Sequence, residues 1–118
     1  MPFQAPYLFS AAMDVAPDRE ALFNQVYDEE HVPTLLGVPG VIGVARFKTR
    51  EFSIVIGGER RTVTVDAEPR YQTLYELESP DVLVSPAWTQ AVDRGRWPGE
   101  VRPYTKNRRH VLYQRIGR

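Results

Sequence analysis

The segment Tyr27-Asp28-Glu29-Glu30-His31-Val32-Pro33 gathers most of the reactive chemistry of this chain: one of its two histidines, a phenol four residues earlier and three consecutive acids. On a helix, positions four apart share a face, so Tyr27 and His31 point the same way, with Asn24 and Glu30 on neighbouring rows. A neutral imidazole takes or gives a proton near pH 7, and a phenol donates a hydrogen bond to an oxyanion. The pair suits enolisation, ring closure or lactone isomerisation, which makes His31 and Tyr27 the candidate catalytic residues. The plainer reading is a helix-terminal histidine resting on free carbonyls at the negative end of the helix dipole.

His110 is the second histidine, on a segment that reads as the final strand, with Arg109 on the opposite face by alternation. It either converges with His31 in a pocket or lies at a subunit contact. Arg46 interrupts an apolar strand, where a guanidinium could hold a substrate carboxylate or enolate; the alternative is an ion pair with Glu76, Glu29 or Glu30. Tyr71, Thr73 and Tyr75 share one strand face, either as pocket wall or as core. Trp88, with Val92 four residues on, reads as a packing residue or a pocket wall, and Trp97 as a lid on the same cavity. Two imidazoles and a carboxylate are an accepted ligand set, but the histidines are far apart in sequence and no ligand motif supports them, so no metal site is assigned.

Other chemistries lack their residues. There is no cysteine among the 118 residues, which excludes disulfides, thiolate catalysis and sulfur-ligated zinc and suits a reducing cytoplasm. No glycine-rich phosphate loop or nucleophile elbow is present. Fifteen basic residues balance fifteen acidic ones, which gives no electrostatic case for nucleic acid or an anionic membrane. No run approaches the roughly 18 apolar residues of a membrane span, and the apolar start lacks a basic leader region. A haem-binding role needs only one axial histidine, but nothing specific favours it, and no cofactor is assigned.

The elements that must position these residues follow from periodicity. Residues 6 to 14 form a strand with Tyr7, Phe9, Ala11 and Met13 on one face and Leu8, Ser10 and Ala12 on the other. Pro17 opens a helix over about 17 to 31, with Leu22, Phe23, Val26 and Tyr27 as its apolar stripe and Pro33 ending or kinking it. Strands follow from Val41 to Phe47 and from Tyr71 to Leu77. Between them a hairpin turns at Gly57-Gly58, and its register pairs Ile56 with Glu59, Ile54 with Arg61 and Phe52 with Val63. Ser79-Pro80 and Ser85-Pro86 each place a capping serine before a helix-opening proline, predicting a short turn at about 80 to 84 and a helix at about 86 to 95. A loop from Pro98 to Pro103 then leads to a last strand over about 106 to 116.

The order is β-α-β-β-α-β, with the hairpin inserted after the second strand. At 118 residues and 42% hydrophobic, the chain reads as one α+β domain over residues 1–118, a ferredoxin-like antiparallel sheet with two helices on one face. The strands look apolar on both faces while helices cover only one. The simplest cover for the second face is another copy of the chain, so a homodimer is expected.

The Tyr-Asp-Glu-Glu-His-Val-Pro stretch, the Val38-Pro39-Gly40-Val41 turn, the Tyr71 to Leu77 strand, the Glu78-Ser79-Pro80 step and the basic, aromatic last strand resemble the dimeric α/β-barrel superfamily. More narrowly they resemble its EthD-like and related bacterial proteins, over nearly the whole chain apart from the Gly57-Gly58 hairpin. The resemblance implies two sheets facing across a dimer and a small-molecule pocket between sheet and helices. Members include polyketide cyclases, muconolactone-type isomerases, cofactor-free quinone-forming monooxygenases and haem-degrading enzymes; Tyr27, His31 and Pro33 match the EthD-like pattern.

Three functions follow as expectations. The first is a cofactor-free acid/base enzyme acting on an apolar or aromatic oxygenated metabolite, with Arg46, Tyr75, Trp88 and His110 as substrate-binding residues. The second is a non-catalytic dimeric binding or stress-associated module. The third is a haem- or oxygen-dependent monooxygenase.

Overall fold

Strand β1 (Tyr7–Val15) is largely apolar on both faces and is paired on both edges, which makes it a central strand. In the computed structural model, which describes residues 4–117, it runs antiparallel to β5 (Tyr71–Leu77) on one side and to β6 (Thr105–Gln114) on the other. With β2 (Val41–Lys48) on the far edge of β5, the sheet order is β2-β5-β1-β6. All neighbours are antiparallel, as the split βαβ order requires.

Between β1 and β2 the chain forms α1 (Glu20–Val26), a π turn (Tyr27–His31) and α2 (Val32–Leu36) in one continuous helical run. Of the two expectations at Pro33, an end or a kink, the helix does not end: it runs on past residue 31 with a π irregularity just before the proline. The π turn, closed by the Val32 N–H on the Tyr27 carbonyl, widens the backbone just ahead of the proline. That relieves the clash the ring makes with the carbonyl four residues back, and Pro33 then sits in the first turn of α2, where no N–H is needed.

The inserted hairpin, β3 (Phe52–Ile56) and β4 (Glu59–Val63), has the expected register, Phe52 opposite Val63 and Ile56 opposite Glu59. Gly57 and Gly58 turn it with φ of 61° and 81°, the left-handed values a two-residue hairpin turn demands. It is a separate two-stranded sheet rather than an extension of the central one. After β5, a 3-10 turn (Pro80–Val84) and α3 (Pro86–Ala91) are capped as the serines predict. Ser79 Oγ accepts from the Asp81 N–H at 3.1 Å, and Ser85 Oγ accepts from the Trp88 N–H at 3.2 Å. α3 stops a turn short of residue 95, and the expected loop is helical: a second π turn (Trp97–Val101) and a 3-10 turn (Arg102–Tyr104).

All of this helical structure packs on the β1 face that carries Phe9, Ala11 and Met13. The core there includes Phe23, Val26, Leu35 and Leu77, each fully buried, and burying one such side chain stabilises by about 1.5–3 kcal/mol. Among the described residues, no helix is long and apolar enough to cross a membrane.

Candidate active site

Where the sheet and the helical layer fail to close completely, they leave a cavity of about 240 Å³. Its floor is the inward face of the sheet, with Phe9 from β1, Tyr75 from β5 and His110 from the edge strand β6; its roof is Tyr27, His31, Trp88 and Trp97 from the helical segments. The rings meet in the geometries that aromatic quadrupoles favour. Trp97 stacks on His31 at 4.2 Å between centroids, and Tyr27 meets His31 edge-on at 5.1 Å. Trp88 stands edge-on to Tyr75 at 5.4 Å, and His110 stacks on Phe9 at 5.8 Å.

His31 is buried, only 6% exposed, and the loss of hydration lowers its pKa to about 4, with the Arg102 charge as the smaller cause. It is therefore uncharged at neutral pH. Among the described residues no group hydrogen-bonds its ring, and neither nitrogen is a sealed orphan, so the polar edge is open to the cavity. Beside it the Tyr27, Thr73 and Tyr75 hydroxyls interact with one another. Burial is the first cause of the raised pKa of both phenols, Tyr75 the more strongly, which keeps them protonated as donors.

A latch holds this arrangement. Glu30, on the first π turn, accepts the Arg96 backbone N–H at 3.0 Å and the Arg96 Nε–H at 2.6 Å, just before the second π turn begins. These bonds keep the Glu30 carboxyl below its ordinary pKa. Gly95 precedes them at φ +66° with the Glu30 carboxylate lying where a Cβ would stand, so a side chain there would break the latch. The two π turns are thereby tied together, which presses Trp97 on to His31. π turns recur at functional sites because they re-aim side chains out of the regular helical rows.

Of the residues singled out from sequence, Tyr27, His31, Tyr75, Trp88 and His110 line one cavity. Arg46 does not. On β2 it pairs with Asp28 at 2.8 Å and donates to Asn24 at 2.8 Å, and its guanidinium lies 4.5 Å from the centroid of Tyr27, so it braces the helix against the sheet. The expected partner Glu76 is excluded by alternation, because Arg46 lies opposite Thr73 and Glu76 faces the other way. Trp97, 5% exposed, is a wall rather than a lid. Sequence reading missed Phe9, Arg102 and Arg108 as cavity residues. The Arg108-x-His110 alternation on a strand was the signal available for the last of these. Among the described residues, no cluster of three His, Cys, Asp or Glu side chains could hold a metal ion.

No family model and no curated protein matches this chain. Solved structures do. A candidate antibiotic biosynthesis monooxygenase from Bordetella bronchiseptica superposes with a TM-score of 0.64 at 20% identity, covering 96% of this chain and 99% of that one. The fold is ferredoxin-like α+β. The haem-degrader MhuD from Mycobacterium tuberculosis, with two haems bound in its active site, gives a TM-score of 0.56 at 14% identity, over 96% of this chain and 98% of its own. A mutant of MhuD with two manganese protoporphyrin IX groups per active site gives 0.57 at 13%, over 96% and 97%. At such identities the likeness speaks for the fold, and the chemistry must be argued from the cavity.

Proposed function

We propose that this chain is a small enzyme that takes a planar, oxygenated aromatic molecule into the His31 cavity and acts on it by proton transfer, without a resident cofactor. The observation that supports this most is an uncharged imidazole, unsatisfied by any described residue, set in one aromatic box with two phenols that burial keeps protonated. His31 accepts the acidic proton of the substrate, and Tyr27 and Tyr75 stabilise the oxygen on which charge develops. With a pKa of about 4, His31 is a weak base in the empty cavity. The anion formed beside it is what stabilises the imidazolium, since the two charges appear together in a medium that screens them poorly. Isomerisation, cyclisation and elimination all begin with this step.

A second reading shares that step and passes the resulting anion to dioxygen. A ring methylene is then oxidised as CH2 + O2 → C=O + H2O, one oxygen atom staying as the carbonyl and the other leaving as water. The names of the structural neighbours favour this reading, and they shift the proposed relatives from the EthD-like branch towards the monooxygenase branch of the dimeric α/β-barrel proteins. A haem does not fit the residues present. A volume of about 240 Å³ falls below the roughly 300–1,000 Å³ of ordinary small-molecule clefts, too little for a tetrapyrrole.

We place the enzyme in a homodimer. The sheet face away from the helices leaves Phe47 50% and Tyr113 51% exposed, and the hairpin leaves Val55 65% exposed, apolar surface that a second copy would cover.

Turnover of anthrones and hydroxynaphthalenes, followed by chromatography and an oxygen electrode, tests the reading. Wild-type protein converts a member of the series and His31→Gln loses about 10²–10⁴-fold in kcat/KM; oxygen uptake in step with product selects the second reading. Full activity in His31→Gln would refute the role of the imidazole, and tight binding with no turnover of any ligand would leave a binding module instead.

A further inference from the structure

Resting on the proposed reading of the His31 cavity, we infer that its ligand is a planar aromatic anion, an aryl carboxylate or an acidic enol, whose charged oxygen is held by Arg108 at the mouth.

Alternation with His110 puts Arg108 on the cavity face, and a bulge beside it supplies its partner. β6 pairs Arg109 with Ala12 and Lys106 with Asp14, so one extra residue is accommodated opposite Met13, and Asn107 there takes φ 52°, the one non-glycine residue with positive φ among those described. Bulges of this kind re-aim a side chain. Here the shift brings Thr105 and Arg108 close enough to bond, although they are three apart on a strand and would otherwise face opposite ways. Arg108 Nε and Nη2 donate to Thr105 Oγ1 at 2.9 and 2.6 Å, and Nη2 also donates to the Arg102 carbonyl at 2.7 Å.

Those acceptors are neutral. Among the described residues Arg108 has no ion-pair partner, its Nη1 has no hydrogen bond, and no acidic side chain lines the cavity. The neighbouring Arg102 differs in this respect, because Asp93 at 2.8 Å and the Val92 carbonyl at 2.7 Å engage it. A guanidinium fixed by neutral acceptors, with two N–H groups left over at the edge of an aromatic box, is a cation arranged for an anion that arrives from outside. Its field already reaches the far wall, where it is among the charges that favour the ionised form of Tyr27. The box accepts the flat ring between Trp88 and His31, and the charged oxygen stays at the mouth. Its apolar lining gives such a ring little reason to discriminate between the acid and its neutral amide, so the preference between them falls to Arg108.

Calorimetric titration with two matched pairs tests this: 2-naphthoate against 2-naphthamide, and 4-hydroxycoumarin against coumarin. Each anion binds about ten- to a hundredfold tighter than its neutral partner. Arg108→Gln removes that preference while retaining the affinity for naphthamide, which shows that the cavity is still folded, and Arg108→Lys keeps part of it. A preference shown by only one pair decides between carboxylate and enol. Equal binding of acid and amide in the wild type, or a preference that survives Arg108→Gln, overturns this inference and leaves the proposed function standing. Failure of all four ligands to bind overturns both.

Discussion

The two faces of the four-stranded sheet are made from alternate residues of the same strands, yet they have become different kinds of surface. On the helix side, Phe9, Thr73 and Tyr75 meet a layer of rings that excludes water, lowers the basicity of one histidine and raises the pKa of two phenols. On the open side, Phe47 and Tyr113 are comparably large and about half exposed. The difference lies in closure rather than in apolar content. Only where a second layer covers the sheet does the medium become dry enough to change what an imidazole or a phenol does.

The contrast can be broken by mutation. Phe23 is fully buried between α1 and the sheet, touching Tyr27, Tyr71 and Trp97. Phe23→Ala is expected to cost about 3–5 kcal/mol in denaturant unfolding and to widen the cavity roof.

Acid sharpens the contrast next. The His31 pKa falls from 6.5 in the unfolded chain to about 4 in the folded one, so between those values the unfolded state binds the extra proton. The stabilising contribution is fully present above pH 6.5 and is lost as pH falls towards 4, about 3 kcal/mol in all. Unfolding curves of wild type and His31→Gln should converge by that amount over this window; parallel curves would count against a desolvated histidine.

The open face should respond least within one subunit. Phe47→Asp is expected to change monomer stability by no more than about 0.5 kcal/mol while shifting sedimentation equilibrium from dimer to monomer. A wild-type monomer at micromolar concentration would remove the second copy from this face.

Much of the framework was legible because its signals are local. The capping serines 79 and 85, the Gly57-Gly58 turn and the hairpin register all depend on a few adjacent residues, and all stand as read. Five residues of the cavity lining could be named because periodicity gives a side chain its face. The passage of the helix through Pro33 was hidden, since a π turn is a change of backbone register with no residue type of its own. Arg46 was misplaced for a related reason: its partner Asp28 is 18 residues away, on the π turn, and only the packing of the helical run against the sheet brings them together. Arg108 was within reach of alternation with His110 and was passed over; its partner Thr105 was hidden by the bulge at Asn107, which no strand alternation predicts.

The central claim is that His31 is a desolvated, uncharged imidazole whose polar edge faces a ligand cavity. The most direct measurement is the titration of its ring by NMR, in the free protein and with 2-naphthoate bound. A pKa of about 4 in the free protein that rises when the anion is bound is the expected result; a pKa near the ordinary 6.5 that does not respond to the ligand would contradict it.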